Sequence, residues 1–454
     1  MTAQPLSTRR ERIAWYLYDF GNSAYASVVL LAVFSAYFQK QVVGGAEGTR
    51  LWGAAILIAM LVVAVTAPIL GTIADFSGSK KKFLLAYTAL ACVFTAGLFF
   101  ATQGQIVLGM AFFILAEIGY RSAQVFYDAL LPEIAAPTEM GRIAGLGWAI
   151  GSAGGIVILL LVLPMILLTT NSPNADLFIR LSLVVTAIFF AVSALPLFFW
   201  LKERAQPQPL PQGKNYFNVA FERIGKTIRT AGGFGEFLKF MLAYLVFNDG
   251  AMMALDFAAI IGAVLYGMQQ QDLIIFVILV QATNVAGAYL FGHLVDRIGG
   301  KSSLSASLGL MIAITLGLYL NQSPAMFYVI GALGGFAMAG IQSVSRTMVG
   351  LFAPRGASGE FYGFFALAGR TSSFIGPGLY GFLAAEAALY FQAQDQDATL
   401  AEQNGQRIAI LSIAAFLFVG LLLLLWVNEK KARAMAKTMS AARGASETIV
   451  VVGH

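Results

Sequence analysis

The feature that limits this chain most is a succession of apolar runs, each about the length a helix needs to cross a bilayer. Roughly 20 apolar residues suffice for one crossing. The sequence offers twelve such runs, at 15–40, 51–74, 82–102, 105–131, 142–168, 179–201, 236–266, 272–295, 302–320, 325–352, 360–386 and 407–427. Charge points the same way. Asp, Glu, Lys and Arg make up 11% of the 454 residues, less than half the roughly one quarter that a water-facing chain carries. Disorder is excluded as well, because disordered chains are poor in apolar residues and this one is 58% hydrophobic. The pattern predicts an all-α polytopic membrane protein.

Several function classes drop out next. The single cysteine, Cys92, cannot form an intrachain disulfide. His293 and His454 are too few for an ordinary zinc site, so no metal or other cofactor is expected. Gly300-Lys301-Ser302 resembles the end of a phosphate-binding loop, but the required earlier glycine is Val295. Gly145-x-Gly147-x3-Gly151 misses dinucleotide spacing by one residue and falls inside a span. An enzyme or a receptor would need a sizeable domain outside the membrane, and the longest polar interruption is only 202–235. With no nucleotide site, any transport must run on a gradient or on a partner's energy.

The net charge of +6 would suggest nucleic acid in a soluble protein. Here the cations sit in short loops and report topology instead. Arg9, Arg10, Arg12, Lys80, Lys81, Lys82, Arg142, Lys202 and Arg204 fall on the side of the N-terminus, whereas Lys40, Arg50, Arg180 and Arg407 fall opposite. Positive loops stay inside, so both termini are expected in the cytoplasm, and the membrane is the inner one if the source is bacterial. The basic segment Met1–Ala14 leads into an apolar run too long for a signal-peptide core, which is expected to remain as the first span.

Pro207, Pro209 and Pro211 mark a linker. Phe217, Phe221, Ile224 and Ile228, with Arg223, Lys226 and Arg229 between them, predict a short amphipathic helix on the inner membrane surface. The expected organisation is a bundle over 1–201, a linker over 202–235, a second bundle over 236–427 and a basic tail over 428–454, helical from Lys430 to Met439.

Four landmarks recur in the same order. Tyr18-Asp19-Phe20-Gly21 pairs with Phe247-Asn248-Asp249-Gly250. Gly71-x3-Asp75-x2-Gly78-x-Lys80 pairs with Gly292-x3-Asp296-Arg297-x-Gly299-x-Lys301. Gln124-x3-Asp128 pairs with Gln342-x3-Arg346, and Gly151-Ser152-x-Gly154 with Gly376-Pro377-Gly378. The offsets run from 218 to 229. Two similar six-helix halves follow from this.

The Gly-x3-Asp-x2-Gly-x-Lys loop, placed twice in a six-plus-six chain, resembles the major facilitator superfamily, although Phe76 stands where that pattern usually has Arg. A narrower resemblance rests on Trp15-Tyr16-Leu17-Tyr18-Asp19-Phe20-Gly21-Asn22-Ser23-Ala24-Tyr25, on Phe126-Tyr127-Asp128-Ala129-Leu130-Leu131-Pro132-Glu133-Ile134 and on Gln342-Ser343-Val344-Ser345-Arg346. These are similar to the vacuole-effluxer-like branch, whose autophagy-related fungal members export amino acids. The resemblance implies twelve helices in two pseudo-symmetric bundles, alternating access, and efflux of amino acids or similar small metabolites. It also favours cytoplasmic latches at Gly71, Asp75, Gly78, Lys80, Gly292, Asp296 and Arg297, whose cations are expected to pair with carboxylates such as Asp128 or Glu133; Asp128 and Arg346, of opposite sign at corresponding positions, are a further expected inner-gate pair.

A charge at mid-depth costs on the order of 2.5–3.5 kcal/mol, so each buried one asks for a role. Asp19, Asn22 and Tyr25 lie on the first span. Glu117, Arg121 and Gln124 continue to Asp128 as one polar stripe on the fourth. Asn248 and Asp249 lie on the seventh, Gln342 on the tenth and Arg370 on the eleventh. Arg121 and Arg370 suit a carboxylate, because a guanidinium grips two oxygens at once. Asp19, Asp249 and Glu117 suit an ammonium group or a coupling proton. Glu117 and Arg121 have a second reading, mutual neutralisation across one helical turn. The expected partners are a small-molecule substrate, protons and the lipid bilayer, with no nucleic acid, and the expected state is a monomer. The alternatives are a lipid or amphiphile translocator of the same fold, favoured by a Phe-dominated cavity open sideways, and a non-transporting receptor.

Overall fold

The computed structural model describes residues 7–135, 140–169, 172–204, 218–219, 234–353, 361, 364–365, 368–369 and 375–438. Within helices, the side chains at 68, 72, 75, 76, 132, 140–142, 144 and 145 lie outside that description. The amphipathic segment expected at 217–228 falls almost wholly outside it, and so does Arg370.

Helices account for nearly all of the described chain. They are α1 (Arg9–Val43), α2 (Gly45–Ser77), α3 (Lys80–Gly97), α4 (Ile106–Ala129), α5 (Met140–Leu167) and α6 (Ala175–Trp200) in the first half. The second half holds α7 (Gly235–Asp256), α8 (Gln270–Ile298), α9 (Gly300–Leu320), α10 (Pro324–Phe352), α11 (Ile375–Gln392) and α12 (Ala398–Leu425). Eleven of them are long and apolar enough to cross a membrane. The described part of α11 covers only the latter portion of the run expected at 360–386. A further helix spans 429–438 in the basic tail, with Ala432 and Ala436 buried.

Two spans are not single helices. α1 opens on a capping box, in which the Thr8 hydroxyl accepts the Glu11 N–H and the Thr8 N–H donates to the Glu11 carboxylate at 2.7 Å. After Tyr25 it widens into π-turns at Ala26–Ala32, breaks at Val33 (φ −114°, ψ −66°) and resumes at Phe34–Tyr37. α7 breaks at Phe257 (φ −108°, ψ 0°) and continues as Ala258–Tyr266. Turns between spans place glycine at positive φ at Gly44 (+85°) and Gly267 (+62°), and Asp395 (+60°) in the turn from α11 to α12.

Packing repeats from half to half. α1 lies against α5 and α6, as α7 lies against α11 and α12. α2 and α3 both pack on α4, as α8 and α9 pack on α10. The landmark glycines explain part of this. A Cβ at Gly21 would sit 2.6 Å from Ser193 Cβ on α6, and one at Gly250 would sit 2.9 Å from Phe416 Cβ on α12. The first helix of each half thus settles into the last through the same notch.

The end of the molecule that carries the termini shows the duplication most clearly. Glu11 accepts the Lys202 N–H at 3.1 Å, and Glu236 accepts the Asn428 N–H at 2.7 Å. Glu203 accepts the N–H groups of Lys80 and Lys81 at the start of α3, and Glu429 accepts those of Gly300 and Lys301 at the start of α9. Lys81 Nζ then donates to the carbonyls of Phe198 and Leu201, and Lys301 Nζ to those of Leu425 and Val427. Each half therefore ties off three helix ends with two carboxylates and one ammonium, which suits the partial charges at helix termini.

Close backbone approach also generates a stability prediction. A Cβ at Gly154 on α5 would lie 2.7 Å from the Phe20 carbonyl carbon, whereas one at Gly317 meets nothing within 4 Å. Gly154→Ala must push α1 from α5, and overpacking of this kind costs about 1–3 kcal/mol. Thermal unfolding in detergent is expected to show a clearly lowered midpoint for Gly154→Ala and an unchanged one for Gly317→Ala.

Candidate substrate site between the halves

α4 carries the central group. Glu117 is fully buried, and Arg121 one turn on donates Nε to Glu117 Oε1 at 2.6 Å. Tyr25 of α1 stacks on Tyr120, with ring centroids 4.5 Å apart, and the Arg121 guanidinium lies over the Tyr120 ring at 5.3 Å. Gln124 follows on the same helix face, close to Tyr120. The chain delivers these residues to one face because positions three and four apart on a helix share a side. From the other half, Asp256 at the broken end of α7 is buried and lies within electrostatic range of both Glu117 and Arg121. The cluster thus joins two carboxylates, one guanidinium and two stacked phenols at mid-depth.

Glu117 Oε2 and the Asn22 side-chain oxygen are buried without a hydrogen-bond donor among the described residues. Buried acceptors are normally satisfied. The Tyr25 hydroxyl is likewise buried without a hydrogen-bond partner among the described residues, so Glu117 and Tyr25, beside the Arg121 guanidinium, could take a ligand with a positive and a negative end.

Closer to the terminal end, Asn22 lies one turn from Asp19, and the Asp19 carboxylate lies against Gly151, where a Cβ would be 2.7 Å from Oδ2. Asp128 and Arg346 are both within electrostatic range of Asp19. Arg346 crosses between the halves, its guanidinium 5.2 Å from the centroid of the Trp148 ring. The second half repeats the arrangement. Asp249 Oδ2 accepts the Gly376 N–H at 3.0 Å, and a Cβ at Gly376 would be 2.6 Å from Oδ1. Gln342 donates to Asn248 Oδ1 at 3.4 Å, and Asn248 Nδ2 donates to the Gly369 carbonyl at 3.5 Å. The structure thus gathers Asp19, Asn22 and Tyr25 with Glu117, Arg121 and Gln124, and separately joins Asn248, Asp249 and Gln342.

The loop residues sit differently. Gly78 caps α2 in the left-handed region (φ +57°). Lys80 pairs with Glu133 at 3.0 Å, a bond inside the first half. A Cβ at Gly71 or at Gly292 meets nothing within 4 Å. Asp296 and Arg297 are exposed, and neither enters a hydrogen bond or an ion pair among the described residues. The side chain of Asp75 lies outside the description.

Contacts between the halves concentrate at the end away from the termini. Gln39 donates to Glu402 at 2.6 Å, and Gln406 donates to Thr49 at 2.7 Å. Gln270 donates to the carbonyls of Ala32 and Val33, and Trp52 to that of Asp256. The pairing is reciprocal, with α2 on α11 and α8 on α5. Asp256 was visible in the sequence as the acid seven residues beyond Asp249, yet its place beside Arg121 was not. The caps Glu203 and Glu429 lie at a repeat offset of 226 and could have been found by extending the repeat into the loops.

Two six-helix bundles with this pairing and a polar group between them define a transporter of the major facilitator superfamily. The comparisons agree. The chain matches a crystal structure of a bacterial homologue of the human lysosomal transporter Spinster, in an inward-facing and unoccupied conformation, with a TM-score of 0.71 at 13% identity, covering 95% of this chain and 99% of that one. It matches a D-xylose–proton symporter with a TM-score of 0.65 at 12% identity, covering 93% and 98%. An uncharacterized MFS-type transporter, YxiO of Bacillus subtilis (strain 168), is 26% identical over 430 residues, 93% of this chain and 96% of that protein. Autophagy-related protein 22-1 of Penicillium rubens is 24% identical over 323 residues, 66% of this chain and 51% of that protein. The family profile described as "Vacuole effluxer Atg22 like" matches residues 54–437. The chain belongs to that family and is an integral, multi-pass membrane transporter of the MFS type.

A double-mutant cycle separates the two readings of Glu117 and Arg121. Glu117→Gln removes the hydrogen-bonded carboxylate of a part-buried guanidinium, and since breaking a fully buried pair costs on the order of 3–5 kcal/mol, a smaller but clear loss of thermal stability is expected. The Glu117→Gln/Arg121→Gln double variant is expected to recover most of that stability and no transport. Transport by the double variant would leave the pair a neutralising device alone.

Proposed function

We propose that this protein exports amino acids or similarly small zwitterionic metabolites by alternating access, with both termini in the cytoplasm. The observation that carries this reading is the mid-depth cluster of Tyr25, Glu117, Tyr120 and Arg121, faced by Asp256 of the opposite half. A guanidinium binds a carboxylate with two parallel bonds. The open oxygens of Glu117 and Tyr25 suit an ammonium. A ligand bearing both charges replaces internal partners one for one, which keeps the desolvation penalty low. Sites at the interface of two repeats, near mid-depth, are where transporters of this architecture bind substrate.

The inter-half hydrogen bonds at the far end, set against helix caps at the terminal end that stay within each half, support a form open toward the termini, while Arg346 over Trp148 still crosses nearer that end. The excess of Lys and Arg on that side supports placing it in the cytoplasm. Asp19 and Asp249 are the coupling candidates, since each carboxylate abuts a glycine of the neighbouring helix and is held by few donors. A proton gradient is the energy source that such carboxylates can read, and the family's description as effluxers supports export.

Counterflow of radiolabelled amino acids into proteoliposomes tests the reading. Uptake is expected for at least one amino acid. Arg121→Lys keeps the charge and loses the bidentate grip, so its uptake is expected to fall roughly 10- to 100-fold, as removal of one charged hydrogen bond implies. Asp19→Asn and Asp249→Asn are expected to abolish the response to an imposed pH gradient in at least one case. Movement of lysolipid, with no amino acid moved, would overturn the substrate class.

A further inference from the structure

The breaks in α1 and α7 both fall in the far-end part of their spans, Val33 12 residues beyond Gly21 and Phe257 seven beyond Gly250. Backbone polar groups inside a bilayer must find partners within the protein; at the first break Val33 O still accepts the Tyr37 N–H at 3.0 Å, so Ala32 O is the carbonyl there that depends on a side chain. Each break meets a side chain of the other half. Gln270, the first residue of α8, donates from one amide nitrogen to Ala32 O at 2.9 Å and to Val33 O at 2.7 Å. Trp52, near the start of α2, donates from its indole nitrogen to Asp256 O at 3.1 Å in a buried bond.

We propose that the two breaks form a reciprocal gate at the far end, with Gln270 and Trp52 as positioning residues that hold the main-chain carbonyls of the opposite half when that end is closed. The two holds touch one another. Phe34, the residue after the first break, packs against Trp52 with ring centroids 6.1 Å apart, and Phe113 lies over the same indole at 4.3 Å. The Asp256 whose carbonyl Trp52 holds is the residue whose side chain lies near Arg121 and Glu117. Separating the halves at this end exposes the carbonyls to water, which replaces the lost donors. Neutral bonds exchanged in this way leave no stranded charge in either state. The gate therefore works without an ion pair, unlike the Arg50–Glu386 contact at the rim, whose side chains are 41% and 45% exposed and screened by solvent.

The inference rests on the alternating-access reading but not on the identity of the substrate. Spin labels on a Cys92→Ser background report it, one pair at Gln103→Cys and Gln394→Cys on the far end, another at Lys82→Cys and Ser302→Cys on the terminal end. All four positions are exposed. Without added substrate, Gln270→Leu and Trp52→Phe are each expected to raise the long-distance population of the far-end pair roughly tenfold, as loss of a hydrogen bond worth about 1.4 kcal/mol implies. The terminal-end pair is expected to shorten in step, which a merely structural loss would not produce. Arg50→Gln is expected to leave both distributions unchanged. If Gln270→Leu fails to fold, Gln270→Asn, whose amide is one methylene short of the carbonyls, serves in its place. Folded Gln270 and Trp52 variants with wild-type distances, or an equal shift in Arg50→Gln, would overturn the gate. A distance shift without any amino-acid transport would sink the substrate reading and leave the gate standing.

Discussion

Polar groups carried into hydrocarbon must be satisfied by the protein itself, and most of this molecule's particular features follow from that requirement. At several helix ends and at the two breaks, a side chain meets the exposed backbone. Glu203 and Glu429 take up the first N–H groups of α3 and α9, and Lys81 and Lys301 take up the last carbonyls of α6 and α12. These ties stay within one half, so each bundle can move as a unit. Trp52 and Gln270 cross between halves, and so bear on how the units sit together.

The same requirement gives the interior its charge pattern. Glu117 can be fully buried because Arg121 lies one turn away, and Arg121 in turn faces Asp256 across the interface. An interface that holds opposite charges from both halves is sensitive to a ligand that carries either. Tight glycine contacts serve the same economy of space. Gly151 and Gly376 bring the carboxylates of Asp19 and Asp249 against a neighbouring helix, with no side chain between.

Much of this was legible beforehand because it rests on short-range rules. Apolar runs of spanning length, loops rich in Lys and Arg, and glycines at repeated offsets are local properties, and they were enough for the spans, the two halves and the superfamily. Glu117 with Arg121 was readable as a pair for the same reason, since four residues on a helix fix the geometry. Lys80 illustrates the limit. The sequence offered Asp128 or Glu133 as its carboxylate, and the fold chose Glu133, in its own half.

What the chain's order of residues settled alone is the membrane class, the order of the eleven described crossings, and which of them carry polar stripes. All of these depend on composition within one helix. Only the folded molecule decided which stripes meet. Asp256 reads in sequence as one more acid on an apolar helix, and Gln270 and Trp52 as ordinary residues near loop ends. Their roles depend on two breaks, at Val33 and Phe257, and on a second bundle placed opposite. A contact between residues over 200 positions apart is set by how two preformed surfaces pack, and no local pattern carries that information.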